Sequence, residues 1–459
     1  MHRFAFSLFF VSIAAFAQSS ETIPFRAIML PQNEVPAVNI AASGTATVWL
    51  HVVRDARGQV VSASTDFDVS YRFPGEVQFT GLHIHKGRSG ENGPVTIDSG
   101  IRAAQPVASE GTGRTRLQGF TAPDNAAGLD TVNGMLTDPS GFYVNMHTTV
   151  YPGGAFRAQL QRAEMTVLIS QLSPLNEVPA ITDIAASGLG SIVALMTRDG
   201  GGNVSSGLVI FDANYTGLPE GTTFTGFHLH DGVRGVNGPV TINTGIAAGA
   251  NSVAAVAAGG NLHYEVEVPV NNPAAVNTLA GIFSRPGQFY MNLHTSVYPG
   301  GVMRNQLRTT DTNRYQVNMS SANEVPPAGV TASAPSVFQA HTVRNSAGAI
   351  EAAVAIFDVN YRMPGTSTFT GLHIHNGKVG ENGPVTVDSG LNARTPLISD
   401  SGNGNIYRIV TVNSAMALAT LNSATSTPDL NYLNLHTTTF PGGIVRSQLA
   451  AENKTTPAV

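Results

Sequence analysis

The stretch Gly81-Leu82-His83-Ile84-His85 alternates apolar side chains with imidazoles. Because successive side chains of a β-strand point to opposite faces, residues two apart share a face. Leu82 and Ile84 therefore lie on one face of a predicted strand, and both histidines lie on the other. If the apolar pair faces a core, the histidines lie on the far side of a sheet.

This stretch occurs three times in the chain. It returns as Gly226-Phe-His228-Leu-His230 and as Gly371-Leu-His373-Ile-His375. Asn-Glu-Val-Pro starts at Asn33, Asn176 and Asn323, Phe-Asp at Phe67, Phe211 and Phe357, and Asn-Gly-Pro-Val at Asn92, Asn237 and Asn382. A His-Thr segment then leads into Pro-Gly-Gly and Arg-x-Gln-Leu in every copy. A repeat of this length is a whole domain that can close its own core, like a bead on a string.

The chain of 459 residues also suggests three domains at about 150 residues each. The predicted domains span residues 22–163, 165–311 and 312–454. Their segments are short, rich in Val, Thr, Phe and Tyr, and separated by Gly, Pro, Asn and Asp, which predicts an all-β antiparallel sandwich or barrel. One helix per domain is expected, over residues 126–136, 273–283 and 414–421.

A second strand supplies a third histidine to the same face. In Tyr143-Val144-Asn145-Met146-His147, the polar residues share one face and the apolar residues share the other. The counterparts of the polar set are Tyr290, Asn292 and His294, then Tyr432, Asn434 and His436. Three histidines, an asparagine and a tyrosine per domain are therefore expected on the outer side of one sheet.

Two interpretations of this face stay open. Three neutral imidazoles from two strands are suited to copper or zinc. The predicted ligands are His83, His85, His147, His228, His230, His294, His373, His375 and His436. Asn145, Asn292 and Asn434 are expected to help fix the ring tautomers, while Arg157, Arg304 and Arg446 either bind a carboxylate ligand or donate to backbone carbonyls. The alternative is a hydrogen-bonded network of histidine, asparagine and threonine that satisfies buried backbone groups.

Carboxylates near the predicted ligands differ between copies. Asp98 and Asp388 match Asn243, and Glu91 and Glu381 match Val236. We therefore expect the second domain to hold a metal most weakly. Two other motifs receive structural interpretations: Asn-Glu-Val-Pro is expected to start a strand, because proline restricts helix, and Phe-Asp to provide a turn acceptor at a strand end.

The composition excludes several classes of protein. Cysteine is absent, so disulfides, thiolate metal sites and cysteine nucleophiles are excluded. The chain has 25 Lys and Arg against 30 Asp and Glu, whereas a protein that binds nucleic acid normally has a basic excess. No nucleotide-binding loop, nucleophile elbow or HExxH motif is present.

The first 17 residues resemble a signal peptide. A short basic start precedes an apolar run from Phe4 to Phe16, and Ala15-Phe16-Ala17 has the small-x-small pattern of a cleavage site. We predict that residues 1–17 are removed and that the mature protein is secreted, in a periplasm or outside the cell. No later stretch approaches the length of a membrane helix.

The combined motifs resemble the CHRD domain, which is named after chordin and also found in secreted bacterial proteins. The resemblance runs from Asn-Glu-Val-Pro through Gly-Leu-His-Ile-His to Arg-x-Gln-Leu, and it covers nearly the whole mature chain three times. It implies an immunoglobulin-like or Greek-key β-sandwich and an extracytoplasmic location. It implies little about activity, and the cysteine-rich modules that accompany the domain in chordin are missing here.

A weaker likeness, at the level of fold, links Gly81-Leu82-His83-Ile84-His85 to the copper-binding strand of copper/zinc superoxide dismutase. A bridging histidine and a zinc loop are not visible. The first hypothesis is therefore a non-enzymatic binding or adhesion protein whose partner is a protein or a cell-envelope ligand. A dismutase-like metalloenzyme and a structural spacer without ligand are the alternatives.

Overall fold

The computed structural model describes residues 18–256 and 259–452. Across these residues the chain is built mainly of β-strands, and one arrangement of strands with a single α-helix occurs three times. The predicted all-β fold class is therefore confirmed. The predicted signal peptide lies outside the described residues, and within them no helix is long and apolar enough to cross a membrane.

The three domains repeat the same order of elements. Domain one contains β1 (Ser19–Met29), β2 (Ser43–Arg54), β3 (Val60–Arg72), β4 (Val77–Lys86), β5 (Val95–Asp98), β6 (Val107–Ser109), β7 (Thr112–Thr121), α1 (Ala126–Thr137), β8 (Phe142–Thr148), β9 (Phe156–Gln159) and β10 (Gln161–Arg162). Domain two contains β11 (Glu164–Leu172), β12 (Ser187–Arg198), β13 (Val204–Thr216), β14 (Thr223–Asp231), β15 (Val240–Asn243), β16 (Val253–Ala254), β17 (Gly260–Glu267), α2 (Pro273–Ser284), β18 (Phe289–Thr295), β19 (Met303–Gln306) and β20 (Arg308–Thr309). Domain three contains β21 (Asp311–Ser320), β22 (Ser333–Arg344), β23 (Ile350–Arg362), β24 (Ser367–Asn376), β25 (Val385–Asp388), β26 (Leu397–Ser399), β27 (Asn403–Val412), α3 (Ala415–Ala424), β28 (Asn431–Thr437), β29 (Val445–Gln448) and β30 (Ala450–Ala451).

Each domain is a sandwich of two antiparallel sheets. In domain one, the order β10-β1-β2-β3-β7 forms a sheet that we call the inner sheet, and β5-β4-β8-β9 forms the outer sheet. The same two sheets recur as β17-β13-β12-β11-β20 with β15-β14-β18-β19 in domain two. In domain three they are joined into one, because β29 pairs with β21 at Arg446 and Ser320.

The apolar core of each domain lies between its two sheets. In domain one, Leu82 and Ile84 of the outer sheet pack with Phe25, Val48 and Phe67 of the inner sheet, and all five are fully buried. The alternation expected from the sequence is therefore present, and it turns the histidines of β4 away from the core. This burial of apolar area is the main force that holds the two sheets together.

The three helices occupy the predicted positions, and each begins with a capping side chain. The Asn125 side chain accepts a hydrogen bond from the Gly128 backbone at the start of α1, and Asn272 and Ser414 cap α2 and α3 in the same way. Gly134 weakens α1 locally, but it is required there, since a Cβ at this position would collide with the Phe142 ring.

The inner sheets of the three domains also pack against one another. Trp49 of domain one clusters with Leu195 and Leu208 of domain two and lies 5.2 Å, ring to ring, from Tyr407 of domain three. A second interdomain cluster comprises Val167, Ile169, Leu189 and Val193 of domain two with Val343, Ala352, Val354 and Ile356 of domain three. The sequence predicted three domains with separate cores, but it did not predict that the domains also share a core.

Charged and polar groups join every pair of domains. The contacts are Arg26 with Glu267 between domains one and two, Arg308 with Glu351 between domains two and three, and Thr22 with Asp358 between domains one and three. The three sandwiches therefore form a closed assembly in which each domain touches both others. In every domain the outer sheet, which carries the histidines, faces away from this shared core.

Candidate metal centre

The register of β4 and β8 brings three histidines together in domain one. His83 lies opposite Asn145, His85 lies opposite Tyr143, and His147 lies opposite Gly81. Since Gly81 has no side chain, the His83 ring can lean across it toward His147, and a Cβ on Gly81 would collide with that ring. This close approach explains why the strand reads Gly-x-His-x-His.

Each domain holds one such cluster, and in each the candidate ligand atoms lie within 4.8 Å of one another. The clusters are His83, His85 and His147; His228, His230 and His294; and His373, His375 and His436. In domain one the Nε2 atoms of His85 and His147 are 3.4 Å apart. The structure thus brings together all nine histidines singled out in the sequence, three in each domain.

Backbone carbonyls orient two rings of each cluster. Nδ1 of His85 donates to the Gly93 carbonyl at 2.9 Å, and Nδ1 of His147 donates to the Pro152 carbonyl at 3.0 Å. A neutral imidazole that donates from Nδ1 presents a free lone pair at Nε2. The two Nε2 atoms that face each other are therefore acceptors without a proton between them. Gly238, Pro299, Gly383 and Pro441 provide the equivalent carbonyls.

The third ring of each cluster presents its other nitrogen. Nδ1 of His83 is buried without a hydrogen-bond partner among the described residues, as is Nδ1 of His228 and of His373. In domains two and three the Nε2 atoms of His230, His294, His375 and His436 are likewise buried and unpartnered. Buried polar atoms are nearly always hydrogen-bonded, so a repeated cluster of orphaned lone pairs matches a set of metal donors.

Burial keeps the clusters uncharged at neutral pH. Desolvation, reinforced by the neighbouring imidazoles, lowers the pKa of His83 to about 4 and that of His228 to about 3. Desolvation also lowers the pKa of His85 and of His147, although hydrogen bonds to backbone carbonyls act against it. Neutral imidazole is the form that binds a metal.

A carboxylate lies near the first histidine of the cluster in domains one and three but not in domain two. Nε2 of His83 lies 3.8 Å from Oδ1 of Asp98, and Nε2 of His373 lies 3.7 Å from Oδ1 of Asp388. Domain two has Asn243 at this position of the register. The negative charge of a carboxylate near Nε2 favours the tautomer that carries the proton there and leaves Nδ1 free, and a neutral amide does so less strongly.

The predicted arginines support the site through a tyrosine. Arg157 lies over the Tyr143 ring at 4.3 Å, and Tyr143 stacks on His85 with ring centroids 4.8 Å apart. The same arginine donates to the Asn33 carbonyl and to the Asn92 side chain. Arg304 makes the equivalent contacts, and Arg446 lies over the Tyr432 ring and donates to the Asn382 side chain and to the Glu381 carbonyl. Each arginine thus donates to carbonyl groups of the protein itself, and the binding of a carboxylate ligand stays a prediction.

Asn145 has a different neighbour from the one expected. The acceptors that orient the rings are the Gly93 and Pro152 carbonyls, and Asn145 instead hydrogen-bonds Glu34. Burial raises the pKa of Glu34 to about 7, against the opposing effects of Arg157 and Asn145. Asn292 and Asn434 pair with Glu177 and Glu324 in the same way.

Two motif interpretations are wrong. Asn-Glu-Val-Pro does not start a strand: Asn33 ends a short 3-10 turn after β1, and β2 begins only at Ser43. The motif crosses the outer sheet instead, where Glu34 meets Asn145. Phe67 and Asp68 lie within β3 rather than at its end, and Asp68 pairs with Arg114 of β7.

The sequence reasoning missed the carbonyls that anchor the rings. Asn-Gly-Pro-Val and Pro-Gly-Gly follow the histidines at fixed spacings in each copy, and this was the signal that could have revealed their role. Gly93 also approaches the Lys86 backbone so closely that no Cβ fits there. His51 and His341, which occupy the same position in the equivalent strands β2 and β22, lie on inner sheets outside the clusters.

The fold and the site define a class: a three-domain β-sandwich protein with a three-histidine cluster on each outer sheet. The family model of the CHRD domain matches residues 25–160, 168–307 and 315–449. The chain therefore belongs to the CHRD domain family, and the three matches support a protein built of binding-type domains. Searches among curated proteins and among solved structures gave no match.

Proposed function

We propose that this protein is an exported, non-enzymatic binding protein whose three domains each hold one transition-metal ion. The observation that carries the proposal is the convergence of three neutral imidazoles, with candidate ligand atoms within 4.8 Å, in all three domains. A hydrogen-bonded network would pair these nitrogens with donors, whereas most of them have no partner among the described residues.

The donor set favours copper or zinc. Imidazole nitrogen suits both ions, and three protein ligands leave a fourth position for water or a ligand of a partner. Because the chain has no cysteine, thiolate does not contribute to selectivity. Nδ1 of His83 with Nε2 of His85 and of His147 forms the proposed triad in domain one. The bound ion would supply Lewis acidity at the outer sheet.

Three sites on outward-facing sheets suit a binding or adhesion role. Several weak contacts on one chain raise the overall avidity when a partner can engage more than one of them. The partner would be a protein or a cell-envelope ligand that offers a side chain to the open metal position. The basic and apolar N-terminal segment supports export, and cell fractionation followed by N-terminal sequencing tests this part.

Elemental analysis of the purified, tag-free chain tests the metal proposal. After exposure to copper or zinc and removal of free metal, we expect three ions per chain. His147→Ala removes a ligand and should reduce the count to two, whereas His263→Ala, at an exposed histidine of β17, should leave three. A wild-type chain that retains neither metal, yet is fully folded, would favour the hydrogen-bonded network instead.

A superoxide assay on the same samples separates binding from catalysis. The convergence of a third histidine on a Gly-x-His-x-His strand is the observation that favours the dismutase-like alternative. Stoichiometric copper with turnover that His147→Ala abolishes would identify a metalloenzyme. Stoichiometric metal without turnover agrees with the proposed binding role.

A further inference from the structure

A cavity of about 410 Å³ lies where the three inner sheets meet. Domain one contributes Trp49 and Asp66, domain two contributes Val193 and Asp212, and domain three contributes Tyr407. Small-molecule sites commonly have volumes of about 300–1,000 Å³ and occur preferentially at domain interfaces. None of the nine clustered histidines lines this cavity.

The cavity has an apolar, aromatic floor and a polar mouth. Trp49 is 8% exposed and Leu208 is fully buried, while Tyr407 packs against Trp49. At the mouth, the side chains of Arg116 and His263 are 60% and 53% exposed. A ligand can therefore enter from solvent and reach the two aromatic rings.

The carboxylates that line the cavity are paired within the protein. The ion pairs are Asp66 with His51 at 3.3 Å, Asp68 with Arg116 at 3.0 Å, Asp212 with His263 at 3.4 Å, and Glu265 with His263 at 3.5 Å. Since every carboxylate of the lining has a cationic partner, a cationic ligand would enter without a free countercharge, and the four carboxylates would oppose an anionic one. Carboxylate oxygens can nevertheless accept further hydrogen bonds.

We infer that this cavity binds a neutral polyhydroxy molecule of monosaccharide size. A sugar ring has an apolar face that packs on Trp49 and Tyr407, rings that combine an apolar body with a polar tip. Its hydroxyl groups donate to Asp66 and Asp212, and they accept from the Arg408 guanidinium, which has no ion-pair partner among the described residues. The inference is independent of metal binding, because the outer sheets take no part in it.

Trp49 provides the measurement, because it is the single tryptophan of the sequence. Its fluorescence is recorded while the full-length protein is titrated with the methyl glycosides of glucose, galactose and mannose. We expect a saturable change with at least one glycoside, at the weak affinity usual for so small a ligand. The absence of a saturable change with all three overturns the inference, as does saturation by phenol alone.

Variants locate the binding in the cavity. Ile409→Phe narrows the cavity and should weaken binding by about tenfold or more, since a small pocket discriminates steric changes by about 10- to 200-fold. Ile398→Phe makes the same change at an exposed position outside the cavity and should bind as the wild type does. If Ile409→Phe does not fold, Gln118→Tyr at the exposed mouth gives the same test. Wild-type affinity in a folded cavity variant overturns the inference.

Discussion

The outer and inner sheets of this protein differ in how their three copies compare. On the outer sheet the same side chains recur, so that every domain has three clustered histidines with a stacked tyrosine. On the inner sheet the side chains at equivalent positions differ. One position is Trp49 in domain one, Val193 in domain two and Gln339 in domain three. Another is Arg116, His263 and Tyr407 in the same order. The outer face therefore repeats the same side-chain contacts in each domain, whereas each inner face packs against different neighbours.

The first test of this comparison removes a buried charge from the inner sheets. Asp358 is 1% exposed, accepts hydrogen bonds from Thr22 and Asn405, and lies 3.6 Å from His51 of domain one. Asp358→Ala leaves His51 with one carboxylate fewer in a buried interface, and it should lower the free energy of unfolding by about 3–5 kcal/mol. Chemical denaturation measures the change.

Asp388→Ala is the matched control on the outer sheet. Its side chain is 61% exposed, so the expected change in metal-free stability is within about 0.5 kcal/mol. Equal losses in the two variants would contradict the view that the interdomain contacts stabilise the assembly.

The second test uses pH. Burial alone would lower the pKa of His51, but Asp66 and Asp358 outweigh that effect and raise it to about 9 from 6.5. A raised pKa in the folded state stabilises the protein fully below pH 6.5, and this contribution is lost as the pH rises to about 9. We expect chemical denaturation at a series of pH values to show a loss of about 3 kcal/mol in the free energy of unfolding over this window, with a shallower slope in His51→Leu.

His341→Leu is the control for the pH test. Burial lowers the pKa of His341 to about 4, so its removal should leave the alkaline slope unchanged. The residual slope in His51→Leu comes from His263, whose pKa is raised to about 9 by hydrogen bonds to Asp212 and Glu265. An unchanged slope in His51→Leu would mean that His51 is not the charged group.

The third and smallest effect concerns the carboxylate that differs between outer sheets. Asn243→Asp gives domain two the nearby negative charge that Asp98 provides in domain one, and it should raise the metal affinity of that site by roughly tenfold. The measurement is a copper titration of a chain in which His147→Ala and His436→Ala leave only the domain-two site intact. Asn251→Asp, at an exposed position outside the cluster, serves as the control and should change nothing.

More of the outer sheet could be predicted from the sequence than of any other part of the protein. Alternation in Leu82-His83-Ile84-His85 assigned each side chain to a face, and recurrence gave the domain count and the nine histidines. Because β-strand periodicity is local, these properties depend on neighbouring residues alone. The ring-orienting carbonyls of Gly93 and Pro152 were not predicted, because residue type does not specify a backbone acceptor and only the fixed spacing of Asn-Gly-Pro-Val and Pro-Gly-Gly pointed to them.

The inner sheets show where local patterns stop being informative. Trp49 and Leu195 alternate with core residues as solvent-facing positions would, yet both are buried in the shared core. Which domain faces which depends on the shapes and charges of surfaces distant in sequence, such as Thr22 with Asp358. The sequence by itself determined three all-β domains and the face that carries the histidines. Only the tertiary structure decided that the domains close around a common core and that a cavity opens at their junction, because those contacts join residues hundreds of positions apart.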